Sequence, residues 1–204
     1  MLNTEHTPKI DAGYQFPAGA NPSVSKKIAQ RLSKGQIITK KAYHAPTSVM
    51  KDDKLYNALF NEMDFYREMF VHMGWNLVHS AEGEFFYLSK ADEEASVEEG
   101  DSNSLRVCVP LFYMADSVIK RGLSPEVLWT PHIGLNADDL LILSQEDDEK
   151  LLTMEALKFK GDVWQDAIKT LVNKGFLFEN SKGNVVFSSA AKYFIERMIE
   201  NFAD

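Results

Sequence analysis

One pattern occurs twice in this chain and restricts its fold more than any other: an apolar helix stripe, a glycine, then two short strands joined by a tight turn. In the first copy Leu55, Leu59, Met63, Tyr66, Phe70 and Met73 step by four, four, three, four and three residues. That is the period of one helix face. Gly74 follows where a left-handed cap is expected, and His72 stands in the last turn, where a cation suits the helix dipole. GWNLVH, SAEGE and FFYL then read as strand, turn and strand. About one hundred residues later Trp164, Ile168, Leu171 and Val172 mark a second stripe, with Lys174 in its last turn and Gly175 after it. FLFEN, SKGN and VVFSS repeat the hairpin, with Gly83 and Gly183 as its turn glycines. The pattern reads as a duplicated supersecondary unit.

The flanking segments extend the reading. Ser23–Ser33 forms a helix with Ile28 and Leu32 on one side, and Ile37 and Ile38 a short strand before a polar link rich in Pro and Ser. Leu105–Arg121 carries Val107, Leu111, Met114, Ala115, Val118 and Ile119 at helical spacing, with Pro110 tolerated only near its start. Ser124–Trp129 is a short helix that Pro131 ends, and Asn136–Ser144 another. Helix, short strand or turn, helix, then a two-stranded wing is the winged-helix order. The expected fold is therefore mainly α with minor β: tandem winged-helix domains with short β-hairpin wings. Residues 1–20 read as a mobile arm, 21–90 as the first domain, 91–104 as an acidic linker, and 105–204 as the second domain with a C-terminal helix. The linker stretch KADEEASVEEGDSNS holds six acids and one lysine. The last helix, Ala190–Phe202, presents Phe194, Ile195, Met198, Ile199 and Phe202 either to its own domain or to a partner.

In HSAEGEFFYLSK, Phe85, Phe86, Tyr87 and Leu88 make both faces of one strand apolar. A strand that covers one core needs apolar side chains only at alternate positions. Such a strand is buried on both sides within the chain, or keeps one face for a partner. Phe85 and Tyr87 are expected on the inner face, and Phe86 and Leu88 on an outer one. Phe86, Leu88, Trp75, Phe194, Met198 and Phe202 are accordingly candidate protein-interface residues.

The sequence has no G-x-x-x-x-G-K-[ST], G-x-G-x-x-G, G-x-S-x-G or H-E-x-x-H motif. Its five histidines are scattered, and Cys108, the one cysteine, lies in an apolar helix, as an inert core thiol does. Acids occur in runs such as Glu146–Glu149, the pattern of solvated faces. No catalytic residue, metal ligand or cofactor is expected. A single cysteine, no basic-then-apolar leader and no apolar run of roughly 18 residues or more fit a cytoplasmic chain with no membrane role.

Charge is unevenly sorted. The chain carries a formal charge of −8, yet between Gly13 and Lys51 there is no Asp or Glu. That segment holds Lys26, Lys27, Arg31, Lys34, Lys40, Lys41 and Lys51. It reads as a phosphate-contacting patch or as a solubilising face. Lys158, Lys160 and Lys169 form a smaller cluster at the second recognition-helix position, shared with Asp162 and Asp166. Lysine brings charge without the forked geometry of arginine, so DNA contacts are expected to be weak and non-specific.

The run from GQIITKK through NEMDFYREMFVHMGWNLVHSAEGEFFYLSK resembles the N-terminal half of MukE-type subunits of bacterial condensins, MksE-type relatives included. Tyr66 to Leu88 carries the most specific part: a Phe/Tyr-rich helix, a strand like WNLVHS, then EGEFFYL. The second half, with LSPEVLW and DAIKTLVNKGFLF before a wing, is similar in pattern more than in identity. The chain is shorter than the longer members and lacks their extended acidic tail. The resemblance implies a non-enzymatic "kite" subunit that dimerises and binds the kleisin (MukF/MksF-like). Through it, such a subunit regulates an SMC-like ring ATPase (MukB/MksB-like) in chromosome condensation and partition, associated with the nucleoid. The competing reading is a winged-helix transcriptional regulator, disfavoured by few arginines in the recognition helices and by the acidic total.

Overall fold

The computed structural model describes residues 21–90, 97–145 and 148–202; the side chains of 97–103 and 201–202, the arm expected over 1–20 and part of the expected linker lie outside that description. Local chemistry starts the first helix. The Asn21 side chain accepts hydrogen bonds from the Ser23 and Val24 N–H groups, and Pro22 occupies the first turn of α1 (Pro22–Leu32). Two-residue β1 (Ile38–Thr39) follows.

The polar link expected next is instead a hairpin, β2 (Lys41–His44) and β3 (Val49–Asp52), joined by a 3-10 turn at Ala45–Thr47. Its turn closes on Ser48 at φ 52°, a left-handed position that no Gly or Asn signals. The single long helix expected from Lys54 is two, α2 (Lys54–Asn61) and α3 (Met63–Val71), broken at Glu62 (φ −117°, ψ 38°). The break lets Tyr56, Leu59, Tyr66 and Phe70 share one core, while Leu55 is only half-buried and Met73 is 52% exposed. Gly74 has φ +75°, as its capping position requires. Then come β4 (Trp75–Ser80) and β5 (Phe85–Lys90), and the sheet runs β1–β5–β4, all antiparallel. Gly83 is needed for space and not for its dihedral. A Cβ there would lie 2.4 Å from the Phe85 ring, whereas Glu84 takes the left-handed turn at φ 53°.

In the second half α4 (Val97–Lys120) begins inside the segment expected to be linker, so Pro110 lies deep within it rather than near its start. Without an N–H, Pro110 leaves the Arg106 carbonyl lacking its intrahelical donor. Next come α5 (Glu126–Trp129), α6 (Ala137–Gln145) and α7 (Asp148–Ala156). The acids read as a solvated run open α7, where Asp148 and Glu149 suit the helix N-terminus. α8 (Val163–Lys174) is capped by the Asp162 side chain and ends at Gly175, φ +88°. The hairpin β6 (Leu177–Glu179) and β7 (Val185–Phe187) and then α9 (Ser189–Phe202) complete the described chain. The described architecture is mainly helical with small antiparallel sheets.

Two cores result, and the strand with two apolar faces joins them. Phe86, fully enclosed, belongs to the first with Ile28, Leu32, Ile38, Tyr56, Leu59, Tyr66, Phe70 and Leu77. Phe85, on the opposite face of β5, belongs to the second core with α4, α8, α9 and β7, as does Ile37. The expectation of an outward Phe86 is thus corrected: at Phe85 and Phe86 the chain itself covers both faces of β5, whereas Tyr87, expected on the inner face, is 36% exposed. Other contacts tie the halves together. The Tyr43 ring of β2 stacks on Phe178 of β6 at 5.1 Å, and its hydroxyl accepts a 3.0 Å hydrogen bond from the Ser181 N–H. The Ile37 N–H donates to the Lys174 carbonyl at 2.9 Å, and Arg197 of α9 pairs with Glu82.

Candidate nucleic-acid and partner interfaces

Burial of one face of α1 determines where its cations go. Ile28 and Leu32 enter the core, and the Ser25 hydroxyl is hydrogen-bonded to Tyr66 Oη at 2.9 Å. Lys26, Lys27, Arg31 and Lys34 are thereby left exposed, and Lys27, Arg31 and Lys34 follow one another at i, i+4 and i+7. Arg31 lies 3.6 Å from Asp53, which also caps α2 by accepting from the Leu55 N–H at 2.7 Å. Lys26, Lys27 and Lys34 make no ion pair among the described residues.

The remaining basic candidates of the first half are more committed. Lys40 is paired with Glu84, whose hydrogen bond and charge hold the ammonium above the usual lysine range. Lys41 is exposed on β2 opposite Asp52, and Lys51 on β3 is 3.4 Å from His44 Nδ1. The structure therefore brings together the α1 cations, and removes Lys40 from the patch as a carboxylate-paired residue.

Lys158, Lys160 and Lys169 do not form a basic surface of their own. Lys158 is exposed at φ 65° beyond the end of α7. Lys160 and Lys169 flank an open groove of about 580 Å³ beside α8, floored by Leu140, Ile168, Val172 and Val185. Asp162, Asp166 and Glu179 share that groove, so acids outnumber the two lysines. Asp166 accepts the Lys160 N–H at 3.1 Å.

The interface candidates separate by environment. Phe86 contacts only its own chain: His79 stacks on it at 4.4 Å and Tyr56 packs at 5.0 Å. Trp75 and Leu88 are half-buried against the first core, and Met198 against the second. Phe194 packs 6.1 Å from Phe85 and 5.6 Å from Phe176, so α9 closes over the Phe85 face of β5. The Phe202 side chain falls outside the described residues.

Apolar surface does remain, at Met73 and Ile119, which the sequence placed in apolar helix stripes, and at positions it did not single out. On α4, Leu105, Phe112 and Ile119 are 47%, 41% and 47% exposed and spaced by seven, which puts them in one stripe away from Val107, Leu111, Met114 and Val118. Phe60, Val71 and Met73 are exposed in the first half. All of these fit apolar helix patterns, and only the placement of the cores separates inward from outward.

Near the first core Tyr56 Oη and His79 Nε2 are 2.9 Å apart. Burial first, and then the Arg67 charge, hold the His79 imidazolium below the usual histidine range. Cys108 is half-buried, and burial raises its thiol pKa, which works against nucleophilic use. Among the described residues no group of three His, Cys, Asp or Glu side chains could hold a metal ion. Nor is any described helix long and apolar enough to cross a membrane.

Compared with known protein families, residues 23–199 match the model of the condensin complex protein MksE. The match spans both halves and both cores. The chain belongs to the MksE family. An MksE-type chain is a component of a condensin complex, with a place in chromosome partition. No curated protein matches the sequence in direct comparison.

Proposed function

We propose that this MksE-family chain is a non-enzymatic accessory subunit with tandem winged-helix architecture. It binds the complex's kleisin subunit as a dimer and, through the kleisin, acts on the SMC-like ATPase, in the cytoplasm and on the nucleoid. The observation that carries this reading is the family match over residues 23–199. The order of elements supports the architecture: in each half, helices precede a glycine-capped helix end and a two-stranded hairpin. The exposed stripe Leu105, Phe112 and Ile119 supports a protein-binding role, because a helix face of this kind gains most from burial against another chain. The exposed α1 lysines support weak, sequence-tolerant DNA contacts.

The test is co-expression of the tagged chain with the kleisin of the same condensin complex, followed by gel filtration with light scattering. The expected result is one complex holding both subunits, and a dimer when this chain is run alone. Separate elution of the two subunits would sink the kleisin reading. The substitution F112D is expected to leave the fold intact and to remove one of these associations; normal assembly of the variant would exclude the α4 stripe. A footprint on one discrete promoter would instead favour a transcriptional regulator.

A further inference from the structure

Backbone geometry shows which groups of β4 are left open. The sheet runs β1–β5–β4, so among the described residues β4 pairs with β5 alone, in an unbroken register from Trp75 to Ser80. On the β1 side the Lys40 N–H donates to the Glu84 carbonyl at 2.8 Å. A planar trans peptide then turns the Phe85 N–H the opposite way, towards β4. Phe85, Tyr87 and Ser89 therefore exchange hydrogen bonds with Ser80, Val78 and Asn76, the residues opposite them. Alternation leaves the N–H and C=O groups of Trp75, Leu77 and His79 directed away from β5, along the edge of the sheet.

Monomeric proteins blunt such an edge with a charge, a proline, a bulge or a very short strand. β1, at the opposite edge, has two residues. β4 has six, about 20 Å of strand, and WNLVHS holds no Asp, Glu, Lys, Arg or Pro. Exposed apolar side chains flank it. Phe60 packs on the His79 ring at 5.7 Å, Val71 ends α3, and Met73 stands in the turn that leads into β4. An uncharged edge bordered by apolar surface suits a protein chain better than water.

We propose that β4 pairs antiparallel with β4 of a second copy, across a two-fold axis at Leu77, so that the two sheets become one. Residues directly opposite in an antiparallel pair lie on the same face, and the pairing must use the outward groups of Trp75, Leu77 and His79. An axis at Leu77 uses all three: Leu77 meets its own counterpart, and Trp75 meets His79 of the second copy, an aromatic cross-strand pair at each end. On the other face Asn76 lies opposite Val78 of the second copy. A second copy is favoured over a different chain because a two-fold pairing sets the strand against itself. A charged strand would there oppose like charges, and this one has none to oppose. The inference rests on the dimer proposed above and names the surface that forms it.

The experiment measures self-association of the full chain by sedimentation equilibrium over a concentration series. Asn76 is exposed and Val78 half-buried, so charge can be placed there, and circular dichroism confirms that each variant is folded. N76K/V78K sets lysines opposite each other on both sides of the axis and is expected to raise the dimer dissociation constant by about tenfold. N76K/V78E sets opposite charges there and should associate about as tightly as the wild type. Unchanged association of N76K/V78K would overturn the β4 seam and leave the dimer reading intact. Equal weakening of the two variants would overturn the register, and the proposal with it. A wild-type chain that stays monomeric throughout the series would overturn both the seam and the dimer. If N76K/V78K remains a dimer but no longer captures the kleisin, the edge takes an extended segment of another chain and the proposal fails.

Discussion

At the scale of single residues, Phe86 shows how far one side chain departs from its local pattern. Alternation along β5 assigns it to an outer face, yet it is fully enclosed and stacked on His79. Phe86→Ala is expected to cost about 3–5 kcal/mol, the range for truncating an enclosed aromatic side chain, read from urea denaturation. A change below about 1 kcal/mol would place Phe86 outside the core. His79 gives a pH prediction. Its folded pKa lies below the ordinary value of 6.5, so the unfolded chain binds more protons in the interval beneath that value. Its contribution is fully present above about pH 6.5 and is lost as pH falls towards the folded pKa. Thermal midpoints measured down that range should fall less steeply for His79→Gln than for the wild type. Parallel curves would remove His79 as the cause.

At the scale of elements, the helix ends and hairpins were legible because their causes are local. Glycine at a left-handed cap, asparagine or aspartate at a helix start, and helical period all act within a few residues. Gly74 and Gly175 illustrate this; the caps at Asn21 and Asp162 obey the same local rule but were not read from the sequence. The β2–β3 hairpin was missed because its turn uses Ser48 in the left-handed region, and its strands gain their main support from elsewhere. That support is Tyr43, which reaches the second hairpin. Tyr43→Ala should destabilise the chain by about 1–2 kcal/mol through loss of the stack and the hydrogen bond, and Tyr43→Phe by less than half as much. Equal losses for the two variants would mean that the ring contact contributes nothing. The break at Glu62 was hidden for a similar reason: the apolar stripe continues across it, and only the need to face one core bends the path.

For the whole molecule, the decisive feature is that the halves share side chains. Ile37 and Phe85 come from the first half and lie in the second core, and Arg197 and Phe194 return the contact from α9. The two halves are expected to unfold together. Trp75 reports on the first core, and Trp129 and Trp164 on the second. Single-tryptophan variants should give coincident urea midpoints, as a two-state transition requires. Two separated transitions would show that the seam contributes little, and Phe85→Ala would then affect only the one reported by Trp129 and Trp164.

By itself the sequence determined the duplicated helix–glycine–hairpin units, the uneven distribution of charge and the family resemblance. Each of these follows from backbone sterics, side-chain period or residue identity, which act at short range or are read directly. Only the tertiary structure decided which apolar face meets which core and which cations keep a carboxylate partner. Those outcomes depend on residues brought together from far apart in the chain, such as Ile38 opposite Phe86 or Lys40 beside Glu84. Periodicity reports that a face is apolar or charged, but carries no information about what will cover it.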